Sequence, residues 1–201
     1  AGRNDLGVAF SLNFVGPDAA AAAGLGRAFV SRAILDAGTF EEALALAREP
    51  GQCLGHSYQL TCAARAPCGG GAGRGRIAVV EAVAFNRSAV RDVRPEQGAF
   101  FHANHLLLLQ GVAQHVSESS ARRVARAHAL LPTVRDSASA LLALTDRADA
   151  AFPIYHDPAG PGPGDPDRSG ERTLAAALVD VRTGELTLFS GPPPRGRVAA
   201  R

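Results

Sequence analysis

The chain has no methionine and no tryptophan, and all 21 of its basic residues are arginine. Aromatic residues make up only 5% of its 201 residues. The formal net charge is +2, too small for a binder of nucleic acid or other polyanions. Arginine without lysine, beside abundant Ala, Gly and Pro, reads as the mutational bias of a GC-rich genome and not as an interface. No run of about 18 apolar residues is present, so no segment reads as a membrane-spanning helix. No basic stretch followed by an apolar run opens the chain, so no signal peptide is read. It starts instead on Ala1-Gly2-Arg3-Asn4-Asp5-Leu6-Gly7, which reads like the interior of a domain, and the expectation is a fragment of a longer chain.

Cysteine is scarce too. Cys53, Cys62 and Cys68 are odd in number and form no CxxC pair, so no disulfide framework is expected. They read as small buried residues or, for Cys68, as a loop thiol in a reducing, cytoplasmic compartment. Cys53 and His56 lie three residues apart, which on a strand turns them to opposite faces. His102 and His105 fail as a metal pair for the same reason, with no third ligand nearby. No metal and no cofactor are expected. Ser57 lacks a Gly-x-Ser-x-Gly elbow.

What is present is a core: 46% of the residues are hydrophobic, enough for one domain. Gly7–Phe14 alternates apolar and small residues and predicts a strand ending at Gly16-Pro17-Asp18. Residues 19–23 read as loop, and a helix is expected over Arg27–Ala37, stopped by Gly38. Thr39-Phe40-Glu41-Glu42 has the spacing of a capping box for a second helix to about Glu49. Strands are predicted over His56–Ala64, Arg76–Ala84 and Ala89–Val93, with a mobile glycine-rich turn after Cys68. Glu81 shares a strand face with Ile77, Val79 and Val83; it is read as a sheet-edge acid or an arginine partner. A helix over Ala121–Leu131 is capped from Ser117–Ser120, and another, capped by Asp136 or Ser137, runs through Thr145. Phe152–Arg172 is a Pro- and Gly-rich loop, and Thr173–Ser190 a β-hairpin. Blocks of strands and helices predict an α+β fold of layered antiparallel sheets with helices outside.

One stretch does not fit a plain core. Phe100-Phe101-His102-Ala103-Asn104-His105-Leu106-Leu107 reads as a buried strand carrying two imidazoles and a carboxamide. A buried carboxamide without partners costs roughly 1–3 kcal/mol. Asn104 therefore either knits the core or aims its N–H groups at a site of developing negative charge.

Gly7–Phe14, Gly55-His56-Ser57-Tyr58-Gln59-Leu60, His102-Ala103-Asn104-His105, Ser119-Ser120-Ala121-Arg122-Arg123 and the Thr173–Pro193 hairpin follow in one order. Together they resemble the acyl-coenzyme A:6-aminopenicillanate acyltransferase family, the C45 autoproteolytic acyltransferase/hydrolases, which are related to the choloylglycine hydrolases. The resemblance implies an N-terminal-nucleophile hydrolase fold, a four-layer α-β-β-α sandwich of antiparallel sheets with its N-terminal part missing here. Residues 1–191 would form the partial domain and residues 192–201 a frayed Pro/Arg-rich tail. It also implies a Cys nucleophile at the start of the mature chain, exposed by self-cleavage, its own α-amino group acting as base with a pKa of about 7.7–8.0. That Cys would lie upstream of Ala1. Carried over residue by residue, Asn13 and Asn104 become candidate donors to a tetrahedral oxyanion. Arg123, with Arg122 adjacent, becomes a support for the nucleophile. The implied partner is a small acylated molecule: an amide, a β-lactam or an acyl thioester. Nucleic acid and membrane are not expected partners. The alternative is a ligand-binding remnant that keeps the fold without the nucleophile.

Overall fold

Alternating apolar residues over Val8–Val15 give the strand (β2) against which the first unit is laid down. A computed structural model describes residues 1–69, 73–156, 172–193 and 197–200. Parts of two expected segments, the glycine-rich turn at 70–72 and the Pro/Gly loop at 157–171, fall outside the described residues. The chain divides into two compact units. The first comprises Ala1–Arg94, His102–Ser117 and Val179–Gly184; the second comprises Pro95–Phe101, Glu118–Leu178 and Glu185–Arg201.

In the first unit, β1 (Gly2–Arg3), β2, β3 (Gly55–Cys62), β4 (Arg76–Val83) and β5 (Arg87–Asp92) form one sheet in sequence order, antiparallel throughout. One face carries Val8, Phe10, Tyr58, Leu60, Ala78 and Val80, all buried against α1 (Arg27–Asp36) and α2 (Phe40–Ala47). Val30 and Ile34, four apart on α1, meet this face together with Phe40 and Ala43 of α2, the spacing expected of an amphipathic helix. Thr39 Oγ accepts from the Glu42 N–H, while Glu42 Oε2 accepts from the Gly38 N–H. The reciprocal arm of the cap therefore reaches one residue further back than the sequence pattern predicts. Asn4 closes the far end of α1: its Nδ2 donates to the Leu35 and Ala37 carbonyls, and its Oδ1 accepts from Leu6 and Val8 N–H. Gly7 is needed in that turn. Its φ is +90°, and a Cβ there would stand 2.2 Å from that of Ala66.

The cysteine reading is corrected by the structure. Cys62 and Cys68 form a disulfide, Cα–Cα 6.1 Å apart, buried in the helix-side core. The six-residue separation hid it, because only the turn through Pro67–Gly69 brings the end of β3 back on itself. Cys53 is the free thiol.

The second unit contains α3 (Glu118–Leu130) and α4 (Ser137–Ala143). The α3 helix starts earlier than expected, so Ser119 and Ser120 lie buried in its first turn instead of capping it. Asp136 caps α4 with Ser139 completing a capping box. A three-stranded sheet has the order β6 (Ala176–Asp180), β7 (Glu185–Ser190), β8 (Arg197–Ala200), β6 crossing from one unit into the other. The tail expected to fray is thus partly a strand: Leu188, Phe189 and Ser190 pair with Ala200, Val198 and Arg197, main-chain bonds that β7 offers whatever the side chains are. The fold is α+β with antiparallel sheets. No helix among the described residues is long and apolar enough to cross a membrane.

Candidate functional site

The face of the five-stranded sheet turned away from α1 and α2 is where polar side chains collect. Strand register puts Asn13 opposite Ser57, and Ser57 opposite Glu81, so three strands contribute one polar row. In the adjacent row Ser11 Oγ donates to Gln59 Oε1 at 2.8 Å, and Gln59 Nε2 donates to Ser57 Oγ at 3.0 Å.

Glu81 is fully buried and is the anchor of this region. Its carboxylate accepts from the backbone N–H groups of Leu107, Leu108 and Leu109 at 2.6, 2.9 and 2.8 Å, and lies 2.9 Å from His102 Nε2. Burial on its own pushes the carboxyl pKa up, but the His102 bond and the three backbone donors outweigh it, holding the group below its ordinary range. A carboxylate ringed by donors stays ionised where an isolated one would not. The expectation of a sheet-edge or arginine-paired acid is therefore corrected. Glu81 lies on an interior strand, and its partners are main-chain amides and an imidazole.

The His102–Leu109 segment takes its shape from that carboxylate and is not a strand. The Leu107–Leu109 N–H groups are turned to Glu81, and the Gln114 carboxamide takes both the N–H and the carbonyl of Leu106. Those main-chain groups are not left to join a ladder. Of this segment, Ala103 and Leu106 alone are buried, Leu106 packing with Val15 and Val83. Arg87 closes the loop by donating to the Gln110 and Gly111 carbonyls.

Asn13 and Asn104 are brought together. Asn13 Nδ2 donates to the carbonyls of Ala103 at 2.7 Å and His102 at 3.0 Å, while Asn104 Nδ2 donates to the Phe14 carbonyl at 3.0 Å. The two carboxamides thus cross-link the end of β2 to the loop from opposite sides. Both residues are half-buried. His102 Nδ1 lies 2.8 Å from the Ala103 carbonyl and 3.3 Å from Asn13 Nδ2.

Arg123 belongs to the second unit. It is half-buried on α3 and donates through Nε to Ser119 Oγ at 3.2 Å. Arg122, its neighbour, points elsewhere: it bonds Asp149 and Glu118 and lies over the Phe152 ring. A groove of about 440 Å³ lies along α3, lined by Arg122, Ala125, Arg126, Ala148, Asp149 and Ala150. Its arginines are paired with Asp149 and Asp146, and of the expected site residues it includes neither carboxamide nor Arg123, only the adjacent Arg122. No group of His, Cys, Asp and Glu among the described residues could hold a metal ion.

Sequence reasoning missed Glu81 and Ser57 as members of the site. The one signal for Glu81 was an acid aligned with apolar residues on a strand; its meaning depends on which loop covers that face.

A mixed α/β chain with antiparallel sheets, carrying paired carboxamides beside a buried carboxylate, defines the class. Residues 1–194 match the family described as acyl-coenzyme A:6-aminopenicillanic acid acyl-transferase, and the chain belongs to that family. Membership brings acyl-transfer chemistry in general. No curated protein matches the chain.

Proposed function

We propose that this chain forms the oxyanion side of an acyl-transferring or amide- and thioester-hydrolysing site. The nucleophile is a Cys upstream of Ala1, exposed by self-cleavage, and the fold is the four-layer α-β-β-α sandwich. The observation that carries the reading is the mutual clamp of Asn13 on the 102–103 carbonyls and Asn104 on Phe14. It holds a carboxamide at a loop tip whose backbone is fixed by Glu81. The register of β1, Gly2 against Phe10 and Arg3 against Ala9, adds a second support. Residues preceding Ala1 that continue that strand would run alongside Leu12 and Asn13. Asn104 is then the side-chain donor to the tetrahedral oxyanion. Asn13, expected as a second donor, gives its N–H groups to the 102 and 103 carbonyls and holds the loop instead. Arg123 keeps the role of nucleophile support that the family resemblance implies. The substrate is a small acylated metabolite: an amide, a β-lactam or an acyl thioester.

One observation favours the alternative of a non-catalytic, ligand-binding remnant: both N–H groups of Asn13 are engaged by main-chain carbonyls. The same experiment separates the two. The protein carrying its upstream segment should release acid from an amide or thioester. Thiol alkylation should block it even with Cys53→Ala, which removes the free thiol seen here. Asn104→Ala should lower kcat about 10²–10³-fold with KM little changed; an unchanged kcat removes Asn104 from the oxyanion role. The cytoplasmic setting expected from the cysteine count loses its support with the Cys62–Cys68 bridge, since such bonds persist in oxidising compartments.

A further inference from the structure

The Asn13 carboxamide has one end that the clamp does not use. Its Nδ2 lies within 2.7 and 3.0 Å of two carbonyl oxygens and 3.3 Å from His102 Nδ1. Two carbonyls at that range settle which end of the amide faces them, because a carboxamide oxygen there would stand against two other oxygens at 2.7 and 3.0 Å, closer than the ring nitrogen of His102 at 3.3 Å. Oδ1 must therefore point away from the loop. Among the described residues no donor reaches it, and it is not sealed from solvent. Across the sheet its register partner Ser57 is fully buried, with its Oγ accepting from Gln59 Nε2, so no neighbouring strand supplies the missing donor. The result is an acceptor with a fixed direction, half-buried, beside the carboxamide of Asn104.

From this we infer that Asn13 Oδ1 is the acceptor for a substrate N–H, the specificity-determining group by which the site favours secondary amides and amines over the acyl thioesters it also takes. The inference rests on the acyl-transfer reading and deepens it. The nitrogen concerned is the one that leaves with the amine when an amide is cleaved and arrives as the amine when one is made. Asn13 forms and breaks no covalent bond in either direction; it holds that nitrogen's hydrogen. A site that binds an N–H discriminates strongly against analogues lacking it, because the acceptor is then left unpaired.

The test uses the protein with its upstream segment and three substrates sharing one acyl group: a secondary amide, its N-methylated counterpart and the thioester. Asn13→Ala should lower kcat/KM for the secondary amide at least tenfold more than for the thioester. Asn104→Ala should lower both alike. If Asn13 serves only to hold the loop, its variant lowers both substrates by one common factor, and that result overturns the inference while leaving the acyl-transfer reading in place. Should Asn13→Ala fail to fold, the wild-type protein decides alone. There the N-methylated amide should fall at least tenfold below the secondary amide, and equal turnover overturns the proposal. Acyl release from none of the three sinks the underlying reading and this inference with it.

Discussion

The two faces of the five-stranded sheet are made by the same strands and held by different physics. Toward α1 and α2 the sheet shows Val8, Phe10, Leu60 and Val80 to Ile34 and Phe40. The contacts are apolar and non-directional, and they tolerate hydrophobic exchange so long as volume is kept. Toward the 102–115 loop it shows Asn13, Ser57 and Glu81, and the loop is positioned by hydrogen bonds that each need one particular donor or acceptor. The first face supplies stability, and the second converts part of that stability into a fixed arrangement of polar groups. The helix side has one flaw of its own. His56 is 2% exposed and its Nδ1 has no hydrogen-bond partner among the described residues.

The largest effect expected from breaking this contrast is at Glu81. Glu81→Ala leaves three part-buried amides and the His102 ring without the buried carboxylate they share and should cost about 3–5 kcal/mol in denaturant unfolding. Amide exchange at Leu107–Leu109 should accelerate by more than the global loss accounts for; an unaltered unfolding free energy rejects the anchor. Next comes the opposite face. Ile34→Ala should cost about 2–5 kcal/mol, yet exchange at Leu107–Leu109 should change only in step with global stability. Preferential opening of the loop in that variant would show that the two faces are not independent.

Acid should dismantle the two faces in order. Burial, with Arg27 nearby, lowers the His56 pKa from its ordinary 6.5 to about 4. The unfolded chain therefore takes up this proton before the folded one does. Stability falls as pH drops from 6.5 towards 4, by at most about 3 kcal/mol, and none of this loss occurs above that window. The Glu81 carboxyl is displaced downward from 4.5, so its stabilisation is complete above that pH and is lost only as pH falls below it. Stability measured from pH 8 to 3 should show two successive losses, and His56→Leu should remove the first alone. A single loss, unaltered by that substitution, would leave His56 without this role. The smallest effect is at the Thr39 cap of α2, where Thr39→Ala should cost about 1 kcal/mol in thermal unfolding and leave both faces otherwise as they are.

Much of the scaffold was legible in the residues. The Val30/Ile34 stripe, the Thr39-x-x-Glu42 and Asp136 caps, and the alternation in Val8–Val15 are local signals, read over a few residues. The family resemblance rested on the same short motifs, and the family match covers them. The site was half legible. Asn104 and His102 stand out as polar residues in an apolar run, but the run has the composition of a strand and folds as a loop. No local signal says that Leu107–Leu109 will give their N–H groups to a carboxylate some 26–28 residues earlier. The disulfide failed for the same reason, since spacing alone does not show that Pro67–Gly69 folds back.

By itself, then, the order of residues determined which segments become strands and helices and which family the chain belongs to, because periodicity, caps and short motifs act between near neighbours. Tertiary structure decided the rest. It set which side chains share the row Asn13–Ser57–Glu81, which end of each carboxamide faces the loop, and that Glu81 is ringed by amides. Those outcomes depend on strand register and on where one carboxylate finds its donors, and neither is written in any single stretch of the chain.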